Sequence, residues 1–496
     1  MRILQATSEL FPYSKTGGLA DMVSGLAKAL AEKGVEVDLV TPLYKGILEK
    51  FPDLVKEEFV FHQSLGKGSV AAGLYRHDAG PNLTVYFVDH REFYHRDGIY
   101  LENGQVYWDN AARFVFFSKC VVQLARTRKE PYDLIHLHDW QLGLVPALLD
   151  DAQENSDWKN PPRTLYTIHN MPYQGVFGWE EFLLTNLPEE YFTFSGLEFY
   201  GQMNLLKAGI IYSDFVSTVS ETYSKEIRTE AGGAGLATAI QTRSDRVTGI
   251  LNGVDYGEWN TEDNPSLPAS YSATDLSGKK KCKAALQKEL GLPAKARVPI
   301  FGAVTRLAPE QKGTDFILEA VRSLAAEHEM QFVLLGSGSP EMEKAFKELS
   351  EEFPKKVAVE IGYNHGLAHR IEAGIDFFLM PSRYEPAGLN QMYSLRYGTI
   401  PIVRRTGGLE DSVIDLDDEP MQANGIKFAG ATTRALIRGM EKALLFYRNP
   451  TLMKHFLKNG MTADHSWNQS ASEYMALYEK IATLPERDRL KPKTGA

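Results

Sequence analysis

The chain has 496 residues, which is too long for one compact core and predicts two or three domains. Its hydrophobic content of 43% is ordinary for a globular protein, and a formal net charge of −10 without a block of basic residues argues against nucleic acid as a partner. Two distant cysteines exclude a disulfide framework, and neither a secretory segment nor an apolar run of membrane-spanning length is evident. We therefore expect a cytoplasmic protein that does not span a membrane.

Residues 1–250 alternate between short apolar runs, which predict strands, and amphipathic patterns, which predict helices. The predicted strands are residues 2–6, 35–41, 83–88, 134–137, 164–168, 215–219 and 247–251. Helical patterns begin at Leu19 and cover residues 111–125 and 221–228. This βαβ rhythm predicts a largely parallel sheet covered by helices.

The composition changes over residues 255–278, which are rich in Asp, Asn, Pro and Ser and predict a connection between domains. The rhythm then resumes with strands at 299–304, 331–335, 357–361, 377–380 and 400–403. Helical patterns cover 314–327, 341–353, 367–373, 389–397, 433–447, 451–463 and 470–481. The sequence thus predicts two doubly wound α/β domains, whose ligands bind beyond the carboxyl ends of the strands.

A glycine motif opens the first predicted helix and has an echo in the second half. The two stretches are Lys15-Thr-Gly-Gly-Leu-Ala-Asp21 and Arg405-Thr-Gly-Gly-Leu-Glu-Asp411. Free amides at a helix N-terminus, small residues and a basic neighbour make an anion site. Our hypothesis is that two domains present similar glycine loops to one cleft. The alternative, for either loop alone, is ordinary strand–Gly–Gly–helix packing.

Polar residues follow several predicted strands in both halves. They are His138, Asp139, Trp140, His169, Asn170, Asn252, Gly253, Asp255, Arg306, Lys312, Gly336-Ser-Gly338, Tyr363 and residues 385–391. Three cations, Lys15, Arg306 and Lys312, together with glycine-rich helix starts, suit a diphosphate. Glu385 suits sugar hydroxyls and Tyr363 suits a base, so the sequence predicts a nucleoside diphosphate sugar.

Three other motifs suggest different chemistry. His136-Leu-His138-Asp139 has the strand-alternating His-x-His of zinc hydrolases, but no further His or Cys cluster with ligand spacing is evident. The acidic stretch Asp415-Leu-Asp-Asp-Glu419 resembles a metal-diphosphate motif, although a solvated turn is the favoured interpretation. Gly336-Ser-Gly338 is an incomplete dinucleotide fingerprint, because Glu341 stands where a third glycine is expected.

Seven motifs in order along the chain resemble the bacterial glycogen synthase and plant starch synthase family. They are Lys15-Thr-Gly-Gly-Leu-Ala-Asp21, His138-Asp-Trp-Gln141, Thr167-Ile-His-Asn170, Leu251-Asn-Gly-Val-Asp255, Ile361-Gly-Tyr363, Pro381-Ser-Arg-Tyr-Glu-Pro386 and Arg404-Arg-Thr-Gly-Gly-Leu409. The resemblance implies a GT-B fold, in which two Rossmann-like domains face each other across a deep cleft and the C-terminal helix crosses back to the first. We expect a first domain of residues 1–255 with the returning helix 466–484, a second domain of residues 256–465, and a flexible tail at 485–496.

The resemblance also implies retaining transfer of glucose from ADP-glucose to the non-reducing end of an α-1,4-glucan, without a metal or other cofactor. The expected partners are the nucleotide sugar and glycogen or a maltooligosaccharide. The residues implied in catalysis are Lys15, Asp139, His169, Arg306, Lys312 and Glu385. The residues implied in donor binding are Lys15, Gly17, Gly18, His169, Asn252, Arg306, Lys312, Tyr363, Glu385, Gly388, Leu389, Asn390 and Thr406.

The chain departs from the family pattern at several positions. Five residues separate Arg306 from Lys312, one more than is usual in the family. One extra residue turns a helix by about 100°, unless a bulge absorbs it. Ala387 and Asn390 stand where cysteine and threonine are common, and Asp97 replaces a usual proline. A glucan-binding paralogue with impaired catalysis is therefore the alternative to the enzyme.

Overall fold

The structure is a computed structural model that describes residues 1–156 and 158–485, and in it the chain forms two compact units. The first unit consists of Met1–Val219, Ser224–Gly253 and the chain from Trp467 onward, and the second of Ser220–Tyr223 and Val254–Ser466. The junction of Gly253 with Val254 lies two residues before the predicted boundary at 255/256. Residues 486–496, most of the predicted tail, lie outside the described residues.

The first unit is built on a nine-stranded sheet. In spatial order its strands are Val247–Gly249, Phe215–Thr218, Arg163–Ile168, Leu134–His138, Arg2–Ala6, Glu36–Pro42, Leu83–Asp89, Gly68–Gly80 and Val55–Leu65. The pairs are parallel as far as Leu83–Asp89, and the last two strands join antiparallel. That antiparallel hairpin escaped the sequence analysis because its strands are largely solvent-exposed and carry charges in place of an apolar run.

The helices of the first unit lie between these strands along the chain, except for the C-terminal helix, which follows them all. They are Gly18–Glu32, Ile47–Lys50, Arg91–Tyr94, Asn110–Thr127, Val145–Asn155, Trp179–Leu183, Leu205–Tyr212, Ala237–Gln241 and Trp467–Ala482, with Glu221–Glu226 at a junction of the units. The helix Trp467–Ala482 packs on Gly18–Glu32, so the chain does return to the first unit. The contact needs a glycine, because a Cβ on Gly25 would lie 2.1 Å from the Trp467 indole nitrogen.

The second unit contains a six-stranded sheet that is parallel throughout. In spatial order its strands are Val357–Ile361, Gln331–Gly336, Ile300–Val304, Phe377–Met380, Ile400–Arg404 and Ile426–Phe428. The helices are Ser277–Glu289, Pro309–Lys312, Thr314–Glu327, Pro340–Glu352, His365–Gly374, Asn390–Arg396, Gly407–Ser412, Thr433–Tyr447 and Pro450–Thr462. Apolar residues fill both faces of this sheet, and the predicted α/β class with parallel sheets in two domains is confirmed.

The short segment Ser220–Tyr223 belongs to the second unit, although its neighbours on both sides belong to the first. The backbone amide and hydroxyl of Thr222 donate hydrogen bonds to the two carboxylate oxygens of Asp411, at 2.8 and 2.5 Å. The hydroxyl of Ser220 donates to the carbonyl of Pro386 at 2.5 Å. The sequence analysis placed this segment in the first domain, because long-range hydrogen bonds leave no local pattern. Of the helices that the structure describes, none combines the length and apolar character needed to cross a membrane.

Candidate active site

In the first unit, the polar residues of two neighbouring parallel strands meet at their carboxyl ends. His138 ends the strand Leu134–His138, and His169 follows the strand Arg163–Ile168, which pairs with it. His138 Nδ1 lies 3.1 Å from His169 Nε2, and the backbone amide of His169 donates to Asp139 Oδ1 at 2.8 Å. The structure therefore brings together Asp139 and His169, as strand pairing predicts.

Asp139 has an unusual backbone conformation and a raised pKa. Its backbone has φ 57° and ψ −178°, a region that only glycine adopts without strain. Burial raises the pKa of the Asp139 carboxyl to about 7, while hydrogen bonds from the amides of His169 and Asn170 oppose that shift. A carboxyl with this pKa exchanges its proton in the physiological range, and both features are typical of functional sites.

The histidines around Asp139 are neutral at physiological pH. Loss of solvation lowers the pKa of His169 to about 3 and holds those of His136 and His138 well below the usual range. His138 Nε2 and the side-chain oxygens of Asn170 and Asn252 are buried without a hydrogen-bond partner among the described residues. Buried polar atoms are rarely left unpaired, so each of these three atoms has capacity for a further hydrogen bond.

His136 has a structural role instead of the zinc site that its spacing suggested. Its Nδ1 atom lies 2.9 Å from the hydroxyl of Tyr478, and its Nε2 atom lies 2.6 Å from the hydroxyl of Thr167. Both ring nitrogens are thus engaged by hydroxyl groups, and one of these comes from the C-terminal helix. His136 fastens that helix to the sheet and offers no nitrogen to a metal.

The two glycines of the first motif have free space beside their Cα atoms, but two backbone amides of the motif already donate to a carboxylate. Thr16 and Gly17 donate their backbone amides to Glu9 Oε2 at 2.5 and 3.2 Å. A Cβ added to Gly17 or Gly18 meets no atom within 4 Å, so packing requires neither glycine. The sequence analysis missed Glu9, although its position after the first strand, Arg2–Ala6, was a signal.

Lys15 forms an exposed ion pair beside this loop. Its ammonium lies 2.7 Å from Asp21, at the start of the helix Gly18–Glu32, and 43% of its side chain is exposed. Exposed ion pairs contribute little to stability, so the ammonium can leave Asp21 to bind a phosphate with little loss of free energy.

In the second unit, Lys312 and Glu385 form a largely buried ion pair. The Lys312 ammonium donates to the two carboxylate oxygens of Glu385 at 2.9 and 2.7 Å, and the hydroxyl of Ser382 donates to the same carboxylate at 2.8 Å. The side chains of Lys312 and Glu385 are 17% and 7% exposed. The sequence analysis predicted both residues in the site but not that they contact each other.

The residues between Arg306 and Lys312 fold into a single helical turn, Pro309–Lys312. Gly313 ends this turn with φ 63°, and Lys312 leaves it directed toward Glu385. Arg306 is exposed and donates to the side-chain oxygen of Gln311 at 2.7 Å. The longer spacing therefore leaves Lys312 beside another predicted site residue.

The second glycine motif differs from the first, because its glycines are needed for packing. A Cβ on Gly407, whose φ is 43°, would lie 2.0 Å from the carbonyl oxygen of Glu385, and one on Gly408 would lie 1.9 Å from that of Ala387. The amide of Gly408 donates to the carbonyl of Glu385 at 3.2 Å. This motif, with the buried Thr406 before it, supports the backbone that carries Glu385.

The remaining predicted donor residues lie on two turns of the second unit, one half-buried at residues 388–390 and one exposed at Tyr363. Gly388, with φ 68°, and Leu389 precede the helix Asn390–Arg396, whose first amides have no partner within the helix. The Asn390 side chain donates to the carbonyl of Val304 at 2.5 Å. Tyr363 follows the strand Val357–Ile361, and 84% of its surface is exposed, as a base-stacking ring requires.

The acidic stretch 415–419 is part of a network of ion pairs. Lys442 lies 2.8 Å from Asp415, which is 1% exposed, and Lys427 lies 2.7 Å from Asp418. The prediction of a solvated turn is wrong for Asp415, because this side chain is buried and ion-paired. Its partners are distant in sequence, so no local pattern signals them. Its carboxylate also accepts the amide of Lys427 at 2.6 Å, so it anchors the strand Ile426–Phe428.

Comparison with known proteins gives the same family along the whole chain. Residues 2–242 match the starch synthase catalytic domain, and residues 287–460 match glycosyl transferases group 1. A glycogen synthase of Anaeromyxobacter sp. (strain Fw109-5) is 44% identical over 97% of this chain and 100% of its own length. One of Koribacter versatilis (strain Ellin345) is 42% identical over 97% of this chain and 98% of its own length.

A solved structure supports the same relationship. The catalytic domain of starch synthase IV from Arabidopsis thaliana, bound to ADP and acarbose, superposes with a TM-score of 0.86 and 34% identity over 97% of this chain and 99% of that one. The resemblance first seen in seven motifs thus extends over sequence and fold. The chain belongs to the glycogen and starch synthase family of glycosyltransferases.

Proposed function

We propose that the protein is a glycogen synthase that transfers glucose from ADP-glucose to the non-reducing end of an α-1,4-glucan, with retention at the anomeric carbon. The names of its relatives and the ADP and acarbose bound to the Arabidopsis enzyme support both substrates. The observation that carries the proposal is the Lys312–Glu385 pair. It joins a cation suited to a diphosphate to a carboxylate suited to sugar hydroxyls in one buried place.

The carboxylate of Glu385 can still accept hydrogen bonds from a sugar. Two carboxylate oxygens offer about four lone-pair directions, and Lys312 and Ser382 supply the three hydrogen bonds described above. The pair also fixes the rotamers of both side chains before a donor arrives. Preorganised charge of this kind is worth more in a desolvated site than in water.

In the proposed reaction, the bond between the glucose anomeric carbon and the diphosphate breaks as the bond to the acceptor oxygen forms. Lys15, Arg306 and Lys312 neutralise the charge that grows on the departing diphosphate, and the diphosphate takes the proton of the acceptor hydroxyl. No metal and no protein nucleophile takes part. Catalysis then consists of positioning and electrostatic stabilisation of the leaving group.

The other predicted residues hold the two ends of the donor. His169, Asn252 and Glu385 bind glucose hydroxyls, and Asp139 lies beside the reacting carbon. The amides of Gly18, Gly388, Leu389 and Asn390 bind phosphate oxygens, while Tyr363 stacks on adenine. Gly17, whose amide donates to Glu9, leaves room for the phosphates to approach. Thr406 supports the Glu385 loop. The neutral state of His169 suits this role, because an uncharged imidazole can hydrogen-bond a sugar hydroxyl and does not attract the phosphate groups as a cation would.

A direct assay separates this proposal from the glucan-binding paralogue, which the longer Arg306–Lys312 spacing motivates. Purified protein is incubated with glycogen and ADP-[¹⁴C]glucose, with UDP-[¹⁴C]glucose in parallel and with EDTA in a third reaction. We expect label in the glucan with ADP-glucose, less with UDP-glucose, and no loss with EDTA. Glycogen binding without incorporation from either donor would establish the paralogue instead. We place the reaction in the cytoplasm, where the buried free thiols of Cys120 and Cys282 are stable.

A further inference from the structure

Three potential metal ligands converge in the second unit, and none of them is a predicted donor residue, although His365 follows Tyr363 by two positions. Glu258 lies in a turn near the start of this unit, and His365 and His369 lie one turn apart on the helix His365–Gly374. One ligand atom from each side chain lies within 4.8 Å of the other two. Among residues 1–156 and 158–485, no other group of three or more His, Cys, Asp or Glu side chains meets that criterion.

Two of the three distances between the ligand atoms match the edges of a zinc tetrahedron, and the third is within 4.8 Å. His365 Nε2 lies 3.1 Å from His369 Nε2 and 3.2 Å from Glu258 Oε1. Zinc binds His nitrogen and carboxylate oxygen at about 2.0–2.2 Å in tetrahedral geometry, which places neighbouring ligand atoms about 3.3 Å apart. Histidines four residues apart on a helix are a common source of two such ligands. The arrangement therefore needs little movement to accept the ion.

The inner histidine is already oriented as a ligand. His369 is 2% exposed, its Nδ1 atom lies 2.7 Å from the hydroxyl of Tyr397, and the side-chain amide of Asn264 lies 3.2 Å from the same nitrogen. The indole of Trp259 stacks on its ring at a centroid distance of 4.1 Å. These contacts fix the ring and leave Nε2 directed at His365. When Nε2 binds an ion, Nδ1 carries the hydrogen and donates it to the Tyr397 hydroxyl, as in metal-bound histidines.

Hydrogen bonds alone cannot pair all three ligand atoms well. If His365 Nε2 carries hydrogen, that one hydrogen must serve both the Glu258 oxygen and the His369 nitrogen. If His369 Nε2 carries it, the lone pair of His365 faces the carboxylate at 3.2 Å. A divalent cation at the centre accepts lone pairs from all three atoms at once.

We propose that Glu258, His365 and His369 form a zinc site, with water as the fourth ligand. The ion joins the turn that holds Glu258 to the helix His365–Gly374, so its role is to fasten two segments of the second unit. None of its ligands is a residue assigned to the transfer reaction, for which no metal is proposed. The sequence analysis overlooked the spacing of the two histidines, and Glu258 is too distant in sequence to signal a third ligand.

The test measures zinc binding to the full chain without an affinity tag. Protein stripped with EDTA and desalted is titrated with ZnCl₂ by calorimetry, and its metal content is measured after dialysis. We expect one zinc per chain and a higher melting temperature with zinc present. His365→Ala and Glu258→Gln should each bind at least about tenfold more weakly, in line with losses seen when parts of metal sites are removed.

The control is His62→Ala, which removes an exposed histidine from the first unit and should bind zinc like the wild type. His365 is 48% exposed, so its replacement by alanine should leave the fold intact, which circular dichroism checks. Co²⁺ in place of Zn²⁺ should give the visible absorption of a tetrahedral site in the wild type and lose it in both cluster variants. Equal zinc affinity of the wild type, His365→Ala and Glu258→Gln would overturn the proposal.

Discussion

The ammonium of Lys312 contacts both carboxylate oxygens of Glu385, in a part of the second unit where neither side chain is more than 17% exposed. A buried pair of this kind costs desolvation energy and is a weak source of stability. It is better explained as a preorganised arrangement for ligand binding. The pair also links the proposed phosphate contact to the proposed sugar contact.

Lys312→Ala should lower kcat more than it raises KM, because the charge on the diphosphate grows as the glycosidic bond breaks. Loss of one such contact costs on the order of 3 kcal/mol, or a hundredfold or more in rate. Steady-state kinetics with ADP-glucose and glycogen measures this. Retention of more than about half of the wild-type kcat, a change of under ~0.5 kcal/mol, would show that Lys312 does not act on the leaving group.

The same substitution leaves Glu385 buried without its cation, so stability must be measured separately from rate. Lys312→Ala should lower the melting temperature, since breaking a buried pair from one side is strongly destabilising. Lys15→Ala offers the matched comparison, because Lys15 pairs with Asp21 while 43% exposed. It should lower kcat to a similar extent with little change in melting temperature.

Gly18→Ala and Gly408→Ala should show that the first glycine motif serves ligand binding and the second serves packing. A Cβ on Gly18 meets nothing within 4 Å, whereas one on Gly408 would lie 1.9 Å from a backbone carbonyl. Gly18→Ala should therefore keep the wild-type melting temperature and weaken ADP binding measured by calorimetry. Gly408→Ala should lower the melting temperature by several degrees. Unchanged ADP affinity in Gly18→Ala would remove that loop from the donor site.

Tyr363→Ala should weaken ADP binding, because the exposed ring is proposed to stack on adenine. Stacking of a base on an aromatic side chain contributes about 1–3 kcal/mol, which corresponds to a roughly five- to hundredfold loss of affinity. Tyr363→Phe keeps the ring and should bind ADP like the wild type. Equal affinity in Tyr363→Ala and the wild type would argue against a stacking role.

Asp139→Asn should change how stability depends on pH. The folded-state pKa of Asp139 is about 7 and its ordinary value is 3.8, so the folded protein holds a proton that the unfolded chain has released. The contribution of Asp139 to stability is complete below about pH 4 and is lost as pH rises through 7. The asparagine variant has no carboxyl at this position and lacks that loss, while its side-chain oxygen can still accept the His169 amide.

The difference in free energy of unfolding between Asp139→Asn and the wild type should therefore increase from pH 5 to pH 7, by at most about 1.4 kcal/mol per pH unit, and become constant above pH 8. Urea unfolding at pH 5, 6, 7 and 8 measures it. Other titrating groups cancel in this difference. A constant difference over the whole range would mean that Asp139 is ionised throughout.

Much of the fold followed from the periodicity of apolar residues. The buried strand Phe377–Met380 is a continuous apolar run, and Leu134–His138 is apolar apart from its two histidines. Asp139, His169 and Glu385 were predicted as site residues because they follow such strands. The exposed hairpin from Val55 to Gly80 carried no such signal, because its charged side chains obscure the alternation.

The details of the site depend on contacts between distant residues, and these were beyond the reach of the sequence. The position of Glu9 after the first strand marks it as a candidate, but the sequence around it does not indicate that it binds the amides of Thr16 and Gly17. Likewise, Glu385 and Lys312 are separated by 73 positions, and the sequence indicated their roles but not their pairing. The two Thr-Gly-Gly stretches have the same three residues, but they differ in backbone conformation and in the atoms that surround their Cα atoms.

The placement of Ser220–Tyr223 in the second unit has a consequence for recombination between related enzymes. The chain passes from one unit to the other at 219/220, 223/224, 253/254 and 466/467. A chimera with a single crossover at 253/254 would combine the Thr222 of one parent with the Asp411 of the other, and the helix Trp467–Ala482 of one parent with the Gly25 of the other. An exchange of the second unit as an intact module therefore has to carry residues 220–223 with it and end at residue 466.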